Sequence, residues 1–495
     1  MFRLTYKDDG TEHGDLVLEC GSHFSRGDSY FFSLDRIIEP KETCAAKVRH
    51  VLRVIFSHWL DVLHEGAQDP VYFLAELSDQ CSRWIQVKPS QQNVELRVGW
   101  STREGYGLIP SRDAVHRMAP SDFTCESEDA SWTMPRQDLI RAVDRCRRML
   151  DIQECSETDP TSILEHYRGA YGSQLLVAAV AHFDLFGQLA KGPVPSDQLR
   201  SRLGLERRPF TVLTTALCAM DLLEITRGQV SATEQARVHL AKSPFDIRDY
   251  IGLMASSPDV LHMVERLKTN RPAGSDSDTG TAFIYREGVQ SAMDSSALAR
   301  HFTESLAGRA RIVAPVLARQ VNFPEDRPAT LLDVGGGSGI YSIALLARFP
   351  NLQATVLDRE EVLVIAREYA ERYGVEDRLH LLPGDMFQDE IPSCDRILLS
   401  NILHDWDVPE CRQLVDRCAA ALGPEGQLWV HDVFLNDTLT GPLPIALYSA
   451  ALFSLTEGRA YSVAEYQNWL EDSGLEVTGP YSTAVHCGVL IAEKP

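Results

Sequence analysis

No two cysteines in this chain are spaced C-x-x-C, although it holds eleven cysteines in 495 residues. A scattered, odd-numbered set reads as reduced thiols in a cytoplasmic protein, and it excludes a disulfide framework and a paired-cysteine zinc site. Positive charge is scarce. The 48 basic side chains stand against 70 acidic ones, a net charge of −22, which argues against a nucleic-acid binder or a protein that coats anionic membranes. Long apolar runs are missing too: PLPIALYSAALFSL (442–455) contains two prolines and is too short for a bilayer, so it reads as a buried helix. The start, MFRLTYKDDGTEHGD, is polar and lacks the apolar core of a signal peptide. No internal repeat or long low-complexity tract is evident.

What remains is a globular composition, 44% hydrophobic and 24% charged, in a chain long enough for two or three domains. Residues 1–135 offer the strand-like pieces DLVLE, SYFFSL, VYFLAEL, RWIQV and VELRVGW around one amphipathic helix near 45–65. They predict an α+β module without a catalytic motif, closed by a linker at CESEDASWTMP (125–135). Residues 136–325 read as helical. Within them Ser196 is placed to cap a short helix, a second helix follows, and a two-stranded wing turns at Arg227-Gly228, which together predict a winged-helix shape. The stretch 196–242 carries seven Lys/Arg against five Asp/Glu, so no basic stripe marks it for DNA. RPAGSDSDTGT (271–281) reads as a flexible loop. Over 326–495 strands alternate with helices, which predicts α/β structure: an open, doubly wound, Rossmann-like parallel sheet.

The chemistry gathers in that last segment. LLDVGGGSG (331–339) follows an apolar strand and opens a helix, and Gly335, Gly336 and Gly337 let backbone approach a ligand where any Cβ would clash. Asp333 precedes the loop and suits a ligand with a cationic amino group better than one with phosphates. The second strand ends at Asp358, placed to accept both hydroxyls of a ribose. The third ends in Gly384-Asp385-Met386-Phe387, where Asp385 can accept from an adenine amino group and Met386 and Phe387 wall the ring. A helix cap at Asp358 and a turn residue at Asp385 are the plainer alternatives, but three successive strand ends of this kind predict a nucleoside site.

LLDVGGGSG, Asp358, GDMF (384–387) and LHDWD (403–407), in this order, resemble the class I S-adenosylmethionine-dependent methyltransferases, and among them the caffeic-acid/acetylserotonin O-methyltransferase type. LFGQLA and LGLERRPFTVLTTALCAMDLLE resemble that family's dimerisation domain, so the resemblance covers about 160–495 and leaves the N-terminal extension without a role. It implies S-adenosylmethionine as cofactor, a homodimer, and His404 as the base that takes a substrate hydroxyl's proton. Asp405 would orient a neighbouring group and Trp406 would cover the adenine. Of the two family glutamates that flank this histidine, one corresponds to Asp432 and the other to Ala460, where the carboxylate is gone; Glu457 is the nearest replacement. The family's cofactor-binding lysine corresponds to Ser400. Asp432, His404 and Asp405 are thus the catalytic candidates. His404, His431 and Asp432 do not predict a metal site, because adjacent strand residues point to opposite faces.

The expected acceptor is a small aromatic or polyketide-like hydroxyl compound. Tyr448, Phe453, Leu455, His301 and Phe302 are the candidate walls of its cleft. The loss of an acid at Ala460 keeps a second reading open, C-methylation or a non-methylating cyclisation or rearrangement on the same scaffold. A third, a winged-helix regulator with a ligand-sensing sheet, is opposed by the acidic charge.

Overall fold

A computed structural model describes residues 2–8, 10–21, 23–41, 43–120, 122–126, 131–153, 158–271, 296–324 and 327–494. The chain forms two units, Met1–Cys155 with Tyr369–Asp377, and Ser156–Glu368 with Arg378–Pro495.

In the first unit, alternation of apolar and polar residues builds an antiparallel sheet of β1 (Phe2–Lys7), β2 (Asp15–Cys20) and β3 (His23–Asp28). The short helix α1 (Tyr30–Ser33) follows, where SYFFSL had predicted a strand; Phe31 and Phe32 are buried from a single helical turn. The long helix α2 (Cys44–Glu65) starts where the Thr43 hydroxyl accepts from the Ala46 N–H, and ends at Gly66 in the left-handed region. A second sheet contains β4 (Val71–Leu77), β5 (Ser82–Ser90), β6 (Asn93–Ser101), β7 (Val115–His116) and β8 (Thr124–Cys125) in the order β7-β4-β5-β6-β8, with β9 (Ser131–Pro135) also on β6. Trp59 of α2 stacks on Phe73, ring centroids 4.8 Å apart, and its indole N–H donates to the Ala114 carbonyl. The expected linker at 125–135 is therefore partly strand, paired with Asn93–Arg97. The expected boundary at 135 is displaced as well. Helix α3 (Arg136–Gln153) sends Leu139, Val143, Cys146 and Leu150 into this first core.

The second unit opens with α4 (Thr161–Arg168), α5 (Ala170–Val177) and α6 (Leu185–Leu189). Then come β10 (Val194–Pro195), α7 (Ser196–Leu203), α8 (Arg207–Ala219) and the hairpin β11 (Leu223–Thr226) and β12 (Gln229–Ala232), in a small sheet ordered β10-β12-β11. Ser196 is the first residue of its helix and not the cap: its hydroxyl donates to the Gly228 carbonyl and pins the helix to the hairpin turn. Helices α9 (Glu234–His239), α10 (Arg248–Gly252), α11 (Pro258–Thr269) and α12 (Ser296–Gln320) complete the helical part. Of the loop expected at 271–281, all but Arg271 lies outside the described residues.

The sheet that follows is built from β13 (Ala329–Val334), β14 (Leu352–Asp358), β15 (Leu379–Pro383), β16 (Cys394–Ser400) and β17 (Leu422–Leu435), all parallel, with α13 (Ile340–Arg348), α14 (Glu360–Tyr373) and α15 (Val408–Ala421) between them. After β17 come α16 (Leu443–Leu455), the short β18 (Tyr461–Ser462) and α17 (Val463–Asp472). Two antiparallel strands, β19 (Glu476–Ser482) and β20 (Cys487–Glu493), finish an order of β15-β14-β13-β16-β17-β20-β19. Strand alternation covers both faces. Leu332, Val334, Ile397, Leu399, Leu428 and Val430 pack with α15 and α17, whereas Trp429 meets Phe323 and His431 meets Tyr341 of α13 on the other side. The strand order reverses between β13 and β16, the place where such sheets hold ligands.

The apolar run at 442–455 is indeed a helix. Ala450 and Phe453 of α16 share a core with α5, α8 and α11, so the helical segment and the sheet lie in one unit, where two domains meeting at 325/326 had been expected. Among the described residues no helix is long and apolar enough to cross a membrane.

Candidate active site

At the C-terminal ends of the parallel strands lies a cavity of about 1250 Å³. Its floor is the glycine loop. Gly335, Gly337 and Gly339 have φ of 69°, 59° and 70°, a region side chains rarely adopt, so the loop can turn under a ligand. Gly336 is needed for a different reason: a Cβ there would lie 2.7 Å from Cγ of Asp333. Asp333 is buried beneath that loop, with Oδ2 accepting from the Ser342 hydroxyl at 2.7 Å and Oδ1 without a partner. Burial pushes its carboxyl up to about 7. A buried acid with one unpartnered oxygen in a cavity wall fits a ligand that brings a cationic amino group.

Asp358 ends β14 and is half-buried in the same wall. Its oxygens accept from the Gly337 N–H at 2.9 Å and the Arg359 N–H at 2.7 Å, and burial raises it to about 6. Asp385 also lines the cavity, but it serves the turn as well: Oδ1 accepts from the Phe387 N–H, and Oδ2 faces Arg359 at 3.4 Å. Met386 and Trp406 line the wall, and Phe387 meets the Trp406 ring edge-on at 5.0 Å. Ser400 lines the cavity as well. Its hydroxyl pairs with His431 Nδ1 at 2.9 Å and accepts from the Asn401 side chain at 3.1 Å.

His404 sits on a single tight turn, Leu403–Asp405, that leaves β16. Gly458 crosses over this turn, and a Cβ on it would come within 2.2 Å of the His404 carbonyl oxygen. The imidazole is only 4% exposed, and Nδ1 lies 2.6 Å from Oδ1 of Asp432, itself 1% exposed. Asp432 also accepts from the Val433 N–H at 2.8 Å and, through Oδ2, from the Tyr466 hydroxyl at 2.9 Å. Burial would lift the Asp432 carboxyl, but His404 and these donors outweigh it and hold it below the usual carboxylate range. Burial likewise opposes a charged His404, yet the Asp432 charge prevails and the imidazole pKa rises. An ionised partner at Nδ1 requires the proton on that nitrogen, which leaves the Nε2 lone pair for the cavity. Asp405 lies 3.7 Å from Nε2, and burial pushes it up to about 7.

His431, next to Asp432 on the strand, points the other way, to Ser400 and to Thr483 at 3.0 Å, and burial lowers it to about 3. Among the described residues no cluster of His, Cys, Asp or Glu is arranged for a metal ion. Of the expected cleft walls, Tyr448, Leu455 and Phe302 line the cavity. Phe453 instead lies in the helical core, and His301 is exposed. Glu457 lines the cavity, whereas Ala460 is fully buried elsewhere, its N–H donating to the Ser449 hydroxyl. Sequence reasoning missed Tyr466, Arg168 and Arg309. No motif marks them, since they come from helices far apart in the chain.

A family model described as an O-methyltransferase domain matches residues 278–476. The 3-hydroxy-5-methyl-1-naphthoate 3-O-methyltransferase of Streptomyces sahachiroi is 32% identical over 319 residues, 64% of this chain and 89% of that one. The chain belongs to the O-methyltransferase family. The acetylserotonin O-methyltransferase of Mus musculus molossinus is 27% identical over 63% of this chain and 82% of its own. A solved O-methyltransferase family 2 protein from Planctomyces limnophilus, in complex with apigenin, is 44% identical, covers 70% of this chain and 99% of its own, and superposes with a TM-score of 0.64. This O-methyltransferase uses S-adenosylmethionine. The residues present fit that cofactor: a buried acid at Asp333 with one oxygen, Oδ1, unpartnered, a glycine floor with open space above Gly337, and Asp358 beside it.

Proposed function

We propose that this O-methyltransferase methylates a hydroxyl of a small aromatic or polyketide-like compound, with His404 as general base. The observation that carries the reading is the buried chain Tyr466–Asp432–His404, whose last member lines the cavity. Asp333, Asp358, Asp385, Met386 and Trp406, with the loop Gly335–Gly337, would hold S-adenosylmethionine, which supplies an electrophilic methyl group. His404 Nε2 takes the acceptor's hydroxyl proton, and Asp432 stabilises the imidazolium that results. Tyr466 fixes the carboxylate so that no reorganisation accompanies the proton's arrival. Asp405, close to Nε2, adds a second acid to balance the ring's charge. Tyr448, Leu452 and Leu455 give the acceptor an apolar wall that excludes water.

The small sheet β10-β12-β11 with α7 and α8 is a winged-helix arrangement that we assign to dimerisation. Its support is apolar exposure: Phe245, Tyr250, Leu253 and Met254 near α10, with Ile163 and Tyr167 on α4. The ten described cysteines are all unpaired, which fits a cytoplasmic protein.

The test is methyl transfer from labelled S-adenosylmethionine to a panel of phenols, with product methyl position read by NMR. His404→Ala should lower turnover by about two to four orders of magnitude, the usual worth of a positioned base, with cofactor affinity nearly kept. A methyl group on carbon, or undiminished turnover in the variant, would overturn the assignment.

A further inference from the structure

Asp333, Asp358 and Asp385 lie at the glycine-loop end of the cavity, whereas Arg168 and Arg309 approach one ring, that of Tyr448. Arg168 closes helix α4 and is 6% exposed. Its guanidinium carbon stands 3.8 Å from the Tyr448 ring centroid, and it makes no hydrogen bond or ion pair with any described residue. Arg309 donates to the side-chain oxygen of Asn401 at 2.9 Å and to the Cys487 sulfur at 2.8 Å, both uncharged groups. Two cations therefore share a buried wall, and among the described residues neither has a carboxylate within ion-pair distance, although the Asp432 charge reaches Arg309. Burial accordingly disfavours the charge on Arg168, with Arg309 adding repulsion.

An aromatic face compensates a buried guanidinium only in part, because its fork of N–H donors still lacks an acceptor among the described residues. The same Tyr448 ring meets the His404 imidazole edge-on, centroids 5.8 Å apart. Base and cation thus both contact one ring. Net charge does not explain an anion here, since the chain carries −22 and would repel one at long range. A local cation pair is what such a ligand needs.

We propose that Arg168, supported by Arg309, forms an anion subsite that selects hydroxyaryl acceptors bearing a carboxylate. This deepens the O-methylation reading and rests on it. The carboxylate is the favoured occupant because its planar pair of oxygens matches the guanidinium fork. The hydroxyl to be methylated already has its partner in His404. Arg168 acts as a specificity-determining residue, and it holds one end of the acceptor so that the other meets Nε2.

The experiment measures calorimetric binding of 3-hydroxybenzoate and 3-hydroxy-2-naphthoate, each beside its methyl ester, to the full-length protein saturated with S-adenosylhomocysteine. Wild type should bind at least one acid about 30-fold or more tightly than its ester, the scale of a buried charge pair. Arg168→Met should erase that preference and Arg168→Lys should keep part of it, with unchanged Tm and S-adenosylhomocysteine affinity as the control for folding. Equal binding of acid and ester, binding of neither, or an acid preference that survives Arg168→Met would overturn the subsite. Methyl transfer run in parallel separates the two readings. Transfer to neutral phenols without acid preference removes the subsite alone, and tight acid binding without transfer to any hydroxyl removes the O-methylation reading.

Discussion

Asparagine at position 432 is the sharpest perturbation of the buried chain, because it keeps the shape and deletes the charge. The native carboxylate accepts from His404 Nδ1, the Val433 N–H and the Tyr466 hydroxyl. An asparagine oxygen can keep the first two, and its amide can donate to Tyr466, whose hydroxyl rotates to accept. The fold therefore survives. What disappears is the anion that would face the imidazolium if, as proposed, His404 takes up the acceptor's proton. Breaking a buried pair from one side costs about 3–5 kcal/mol at full charge. Asp405 remains 3.7 Å from Nε2 and offsets part of it, so we expect a loss of about 100-fold in turnover, ~2.7 kcal/mol. That is no larger than the loss from His404→Ala.

The pH profile gives the second signature. In the proposed role His404 acts as a base when neutral, and its pKa is raised above 6.5, so turnover should rise as pH passes through that raised value. Without the Asp432 charge, burial governs and the ascending limb moves to lower pH. Stability follows the same linkage. A histidine with its folded pKa above the unfolded one stabilises the fold fully below pH 6.5, and this contribution fades as pH rises through the folded value. In Asp432→Asn the fold should lose that acid-side gain in Tm. Single-turnover transfer of labelled methyl across pH 5 to 9 reads the rate and the limb together. A rate within threefold of wild type, with the limb unmoved, would refute the role given to this pair.

Three further outcomes are expected. Gly336→Val should abolish S-adenosylmethionine binding by calorimetry while the fold persists, because its Cβ would enter the space of the Asp333 carboxyl. Cofactor affinity should rise between pH 6 and 8 as Asp333, near 7, and Asp358, near 6, ionise to meet a cationic amino group and ribose hydroxyls. Correspondingly, the ligand-free fold binds these protons more tightly than the unfolded chain and loses their stabilisation as pH rises from about 4 through the folded values near 6 and 7, and the cofactor's Tm shift should be larger at pH 8 than at pH 6. Light scattering at micromolar concentration should give twice the chain mass, and a monomer would remove the role assigned to the exposed apolar side chains near α4 and α10.

The sequence by itself determined whatever depends on neighbours along the chain. Strand and helix periods placed β13 through β17, and consecutive glycines marked the loop between β13 and α13, because backbone conformation there is a local property. Parity along β17 was legible too: His431 and Asp432 face opposite sides, to Tyr341 and to Tyr466. Local reading failed where packing overrode it. SYFFSL has a strand's composition but is turned into α1, and the polar stretch before Arg136 became a strand because β6 offered an edge to pair. Phe453 looked like a cleft wall, yet α16 turns it into the helical core. Only the tertiary structure could bring Tyr466 to Asp432, or set Arg168 over Tyr448, since those partners are separated by tens to hundreds of residues and carry no shared spacing. Their meeting is set by how α4, α16 and α17 pack around the sheet, a property of the assembled core that no stretch of the chain encodes alone.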